Sequence, residues 1–102
     1  MPRDQRRLTA IVAADVVGYS RLMGRDESAT LAALKAVRRD VVDPCVAAHG
    51  GRLVKTTGDG LLLAFTSVVD AVRCALETQA AMARHGAAIA PDRRIVLRIG
   101  VN

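Results

Sequence analysis

The hydrophobic pattern opens with a short, almost unbroken apolar run from Leu8 to Val17, interrupted only by Thr9 and Asp15. A run of that length suits a strand covered on both faces rather than an alternating surface strand. Gly18-Tyr19-Ser20 then break it as a turn. From about Asp26 to His49 apolar positions recur at helical spacing through Leu31, Leu34, Val37, Val41, Cys45 and Ala48. Asp26 or Ser28 serves as a cap, Gly50-Gly51 as a stop, and Pro44 as the point where the helix kinks or restarts. Arg52–Thr57 and Leu61–Phe65 read as two strands around Gly58-Asp59-Gly60, a hairpin signal. Ser67 with Asp70 three residues on resembles a capping box, and Val69, Val72, Leu76, Gln79, Ala80 and Ala83 outline the helix that follows, ending near His85-Gly86. A turn at Pro91-Asp92 leads to a last strand, Ile95–Val101.

The order β-α-β-β-α-β is the ferredoxin-like α+β arrangement, an antiparallel sheet with both helices on one face. The 102 residues suffice for one such core. No repeat, linker or low-complexity segment interrupts them, and no apolar run reaches the ~20 residues of a membrane helix. Residues 1–7, with Arg3, Arg6 and Arg7, read as a flexible basic leader, since the run after them contains Asp15 and lacks a signal-peptide cleavage site. Cys45 and Cys74 fall in helical segments without metal-ligand spacing, so they read as buried free thiols in a reducing cytoplasm. Fifteen basic against ten acidic residues give a net charge of +5, which reads either as a solvated surface in an arginine-biased composition or as contact with an anionic partner. Tyr19 and Phe65 are the only aromatic rings. That scarcity argues against an RNA-binding sheet, which stacks bases on strand aromatics.

Two carboxylates stand out. Asp15 sits in an apolar strand, where a bare charge is costly unless paired, exposed at the strand end or holding a cation. Asp59 occupies the hairpin tip, where a good turn residue is the plainer explanation. In the ferredoxin-like order the first and third strands are antiparallel neighbours, so the end of the first, at Asp15, meets the start of the third, just after Asp59. One rim then offers two carboxylates, which with substrate phosphates can hold a hard cation such as Mg²⁺. The turn Val17-Gly18-Tyr19-Ser20 beside it can present backbone N–H groups to phosphate oxygens. Lys55, four residues before Asp59, reads as a contact to a base edge or phosphate, or as a solvated strand position. His49 and His85 stand at helix ends, where contact with terminal carbonyls accounts for them.

The blocks Ala13-Ala14-Asp15-Val16-Val17-Gly18-Tyr19-Ser20-Arg21-Leu22-Met23 and His49-Gly50-Gly51-Arg52-Leu53-Val54-Lys55-Thr56-Thr57-Gly58-Asp59-Gly60 resemble the bacterial class III adenylyl/guanylyl cyclase catalytic domain. The resemblance extends over residues 8–102, which it marks as a partial catalytic domain. It implies a head-to-tail homodimer, or a pairing with another cyclase domain, with active sites at the interface. It also implies two Mg²⁺ or Mn²⁺ ions on Asp15, Asp59 and the Val16 carbonyl, and a triphosphate on the turn from Val17 to Ser20. Lys55 matches the adenine-facing lysine of ATP-preferring members, so ATP is expected over GTP. The implied reaction is two-metal closure of ATP to 3′,5′-cyclic AMP and pyrophosphate. The family's later block, with a second base-reading acid and the transition-state Asn and Arg, has no counterpart before Asn102. Weak or absent turnover is therefore expected of the 102 residues alone. Besides an RNA-binding domain, the competing readings are a non-catalytic cyclase-like dimerisation or regulatory module and a diguanylate cyclase palm. Thr57-Gly58-Asp59-Gly60-Leu61 does not match the GGDEF-type hairpin of the last.

Overall fold

A computed structural model describes residues 9–102, so the expectation for a leader at 1–7 lies outside the described residues. Four strands, β1 (Ala10–Val16), β2 (Arg52–Thr57), β3 (Gly60–Phe65) and β4 (Leu97–Val101), form one antiparallel sheet in the order β2-β3-β1-β4. The helices α1 (Tyr19–Arg25), α2 (Glu27–Val37), α3 (Asp43–Ala48) and α4 (Val68–Gly86) cover one face. This is the ferredoxin-like arrangement expected from the element order.

The pleat of β1 sorts its residues. Ala10, Val12 and Val16 are buried toward the helices, while Ile11, Ala13 and Asp15 turn to the open face. Leu63 and Phe65 of β3 join the buried set, and against them pack Val37, Val41, Val42, Cys45 and Val46. Phe65 is 1% exposed. Its ring lies so close to Gly51 that a Cβ there would come within 2.4 Å of the ring edge. With Phe65 in the core, the open face carries no aromatic ring for base stacking.

The helical stretch expected from Asp26 to His49 is longer and more broken. It begins earlier, with α1, in which Leu22 is buried. Asp26 adopts an extended conformation between α1 and α2, and its carboxylate accepts the Ala29 N–H at 3.0 Å, capping α2. The buried Thr30 hydroxyl donates to the Leu22 carbonyl at 3.0 Å and ties the two helices together. Between α2 and α3 residues Arg38–Val42 form a π-turn, the Asp43 N–H reaching back to Arg38. Pro44 is the cause: it has no N–H to donate, and its ring would meet the carbonyl four residues back in a regular helix.

The apolar face expected for α4 is the wrong one. Val69, Val72, Leu76, Gln79, Ala80 and Ala83 are all exposed, and the helix buries Ala71, Cys74, Thr78 and Met82 instead. Two stripes share this helix, and close approach to the sheet selects the one that presents the small Ala71, Cys74 and Thr78, with Met82 at its far end. The Ser67 cap is present, its hydroxyl accepting the Asp70 N–H at 3.2 Å. Both cysteines are buried and free, and burial pushes the Cys74 thiol up. His49 ends α3 and pairs with Glu77 of α4 at 3.0 Å, a partner the sequence did not indicate.

Candidate functional site

The hairpin joining β2 and β3 sits one residue earlier than its Asp-Gly pair suggests. Thr57 pairs with Gly60, leaving Gly58 and Asp59 as a two-residue loop. Only Gly58 has a positive φ (45°), the signature of a II′-type turn, whose first corner calls for glycine. Asp59 thus takes the second corner, and its Oδ2 accepts the Val16 N–H at 3.0 Å.

That bond falls where the ladder runs out. Ile11 exchanges both backbone bonds with Asn102, and the Val17 N–H donates to Val96 at 2.9 Å. Odd residues of β1 therefore bond toward β4, and even ones toward β3. The last β1–β3 rung is Ala14 opposite Leu61. Beyond it the N–H of Val16 turns to Asp59 instead of a strand partner, and the Val16 carbonyl shares that edge. Asp15 lies one residue away on the open face, opposite Arg98 of β4. The structure thus brings Asp15, Val16 and Asp59 together at one rim.

Arg98 is the residue the sequence reading missed. Its Nε and Nη2 donate to the two oxygens of Asp15 at 3.0 and 3.1 Å, a two-pronged pair on the sheet surface. The hydrogen bond to Asp15, then its charge, and to a lesser degree the charge of Asp59, hold the guanidinium above its ordinary value. A signal existed: Asp15 and Arg98 each interrupt an apolar strand, and the ferredoxin-like order makes those strands antiparallel neighbours, where opposite charges face each other.

The other candidates surround this rim. Gly18, in the left-handed region (φ 69°), precedes α1, and Tyr19 and Ser20 form its first turn. First-turn N–H groups have no acceptor within their own helix. Val17 differs, because its N–H is already spent on Val96. Lys55 pairs with Leu62, which pairs with Ala13, so it stands on the same open face as Asp15, two strands or roughly 10 Å across. A bulge at Val54 shifts the β2 register just before it.

The donor set determines which cation the rim suits. Among the described residues no group of three or more His, Cys, Asp or Glu side chains converges. Two carboxylates and a carbonyl are too few for an all-protein cage, but they match Mg²⁺ or Mn²⁺, which keep waters and substrate phosphates as ligands. Behind the hairpin a cavity of ≈ 220 Å³ opens on the helix side, bordered by Asp59, Val16, Lys35 and Arg38. A larger cavity of ≈ 470 Å³, between α2 and the end of α4, touches none of the candidate residues. No helix among the described residues is long and apolar enough to cross a membrane.

Comparison with known proteins accords with this picture. No family model matches the sequence. A Rhizobium meliloti protein provisionally named adenylate cyclase 3 is 54% identical over 98 residues, covering 96% of this chain and 17% of that protein. An adenylate cyclase of Streptomyces coelicolor is 44% identical over 71 residues, 70% of this chain and 18% of the relative. Among solved structures, an adenylate/guanylate cyclase/hydrolase from Silicibacter pomeroyi superposes with a TM-score of 0.85 at 50% identity, covering 94% of this chain and 56% of that one. The chain thus spans less than a fifth of these two curated relatives and just over half of the solved domain. From the ferredoxin-like order through these identities, the chain belongs to the class III adenylyl/guanylyl cyclase domain family.

Proposed function

We propose that residues 8–102 form the metal- and phosphate-binding portion of a cytoplasmic nucleotide cyclase domain that closes ATP to 3′,5′-cyclic AMP with release of pyrophosphate. The observation that carries this reading is the bond from the Val16 N–H to Asp59, which sets that carboxylate beside the residue next to Asp15, 44 positions away in the sequence, at the rim where the β1–β3 ladder ends. Asp15, Asp59 and the Val16 carbonyl hold divalent cations. When bound, these lower the pKa of the ribose 3′-hydroxyl and neutralise charge on the triphosphate.

The chain's own groups then act by placement. The N–H groups at Gly18, Tyr19 and Ser20 receive phosphate oxygens, while Val17 shapes the turn through its bond to Val96 rather than donating to the nucleotide. Asp59, tethered to Val16, keeps its carboxylate aimed at the rim without a flexible side chain to reorder. Lys55 contacts the base and favours adenine. A second protomer or partner cyclase domain completes the base and transition-state contacts.

Titration with fluorescent ATP and GTP analogues tests the reading. Mn²⁺-dependent binding, tighter for ATP and lost in D15N and D59N, is the expected result, with cyclic AMP assayed in the same samples. Nucleotide binding that ignores both Mn²⁺ and the two asparagine variants would overturn it.

A further inference from the structure

We propose that Arg98 is a resident counter-cation of the Asp15–Asp59 rim, a positioning residue whose guanidinium fork must give up Asp15 before a divalent cation is held there. This rests on the reading that those two carboxylates bind a metal.

The two carboxylates are not equally ready. Asp59 commits Oδ2 to the Val16 N–H, and no bond engages its Oδ1 among the described residues. Asp15 has both oxygens taken, one by Nε and one by Nη2 of Arg98. The match of a planar fork to a planar carboxylate is the strongest geometry a single arginine offers, and a lysine cannot reproduce it. The partner is also fixed in place by the backbone, since Arg98 stands directly opposite Asp15 in the β1–β4 register. A cation arriving at the rim therefore meets one open carboxylate and one already neutralised.

The latch is releasable. The Arg98 side chain is 71% exposed and that of Asp15 42% exposed, so solvent reaches the pair and no packing holds the guanidinium in place. Exposed ion pairs are weak, so the competition is graded: Arg98 lowers the metal affinity of Asp15 without abolishing it. It also keeps Asp15 in one orientation while no cation is bound, sparing the strand an uncompensated charge on its open face.

The test is Mn²⁺ binding by the full 102-residue chain without nucleotide, followed by electron paramagnetic resonance of free Mn²⁺. R98Q and R98K should each bind Mn²⁺ about two- to five-fold more tightly than wild type. R98K is decisive, because it keeps the charge and loses the fork. R52Q removes a charge from the far end of the sheet, beyond a Debye length from Asp15, and should leave affinity unchanged. In parallel, the Arg98 Nε–H signal in ¹⁵N NMR should move toward the position of a free arginine as Mg²⁺ is added. Equal affinity in R98K and wild type, or an Nε–H signal indifferent to saturating Mg²⁺, would overturn the role of Arg98 while D15N still showed weakened binding. Wild type that binds no Mn²⁺, or binds it equally with D15N and D59N, would overturn the metal reading and this inference with it.

Discussion

Replacing Asp59 separates its mechanical role from its charge. In Asp59→Ala the Val16 N–H loses its acceptor, at a residue only 4% exposed and at the end of a strand where no backbone carbonyl takes its place. Leaving such an amide unsatisfied costs about 1–3 kcal/mol, and a bond to a carboxylate lies toward the upper part of that range. A loss of about 2 kcal/mol is a large share of the ~5–15 kcal/mol that holds a domain together. It lowers the urea midpoint by about 1 M and Tm by roughly 8–16 °C at this chain length. Asp59→Asn keeps an oxygen in the same place without the charge, so about half the loss is expected, with Mn²⁺ binding still abolished. Urea denaturation followed by far-ultraviolet circular dichroism measures both variants. A D59A midpoint within about 0.2 M of wild type, or indistinguishable losses in the two variants, would refute the claim that this bond anchors the hairpin to β1.

Gly51→Ala drives a methyl group into the Phe65 ring and should destabilise by about 1–3 kcal/mol, and adding Phe65→Leu should recover part of that loss in a double-mutant denaturation cycle. Burial raises the Cys74 thiol above its unfolded value, so the stability it contributes is complete below the unfolded cysteine pKa of ~8.5 and declines as pH rises beyond it toward the higher folded pKa; calorimetric scans between about pH 8 and 10 should show a decline that is shallower in Cys74→Ala.

Much of the fold was legible because several local signals agreed. The hairpin, the Ser67 cap, the disruption at Pro44 and the adjacency of β1 and β3 all follow from residue types that permit few alternatives. What escaped notice depended on tertiary competition. Both stripes of α4 carry apolar residues at helical spacing, and only contact with the sheet decides that Ala71, Cys74, Thr78 and Met82 go inward while Val72 and Leu76 stay out. The helix α1 was hidden because Gly18 looks like the middle of a turn, although Tyr19, Leu22 and Met23 carry a helical rhythm. At the site, the convergence of Asp15 and Asp59 follows from topology, but the spending of the Val17 N–H on Val96 and the fork of Arg98 on Asp15 depend on the β1–β4 register.

The two-residue hairpin loop also governs how this chain tolerates changes in length. Adding one residue between Thr57 and Gly60 replaces the II′ corner with a longer loop and withdraws Asp59 from the Val16 amide. Adding one within β1 ahead of Asp15 turns that carboxylate to the helix side, into the core beside Val12, because side chains alternate with a period of two. Between Ala87 and Arg94, by contrast, the chain runs outside the sheet through a short 3₁₀ turn and no candidate site residue depends on its length. The pleat of a single strand and the size of a single turn thus fix the chain length at the rim, a constraint that the connection between α4 and β4 does not share.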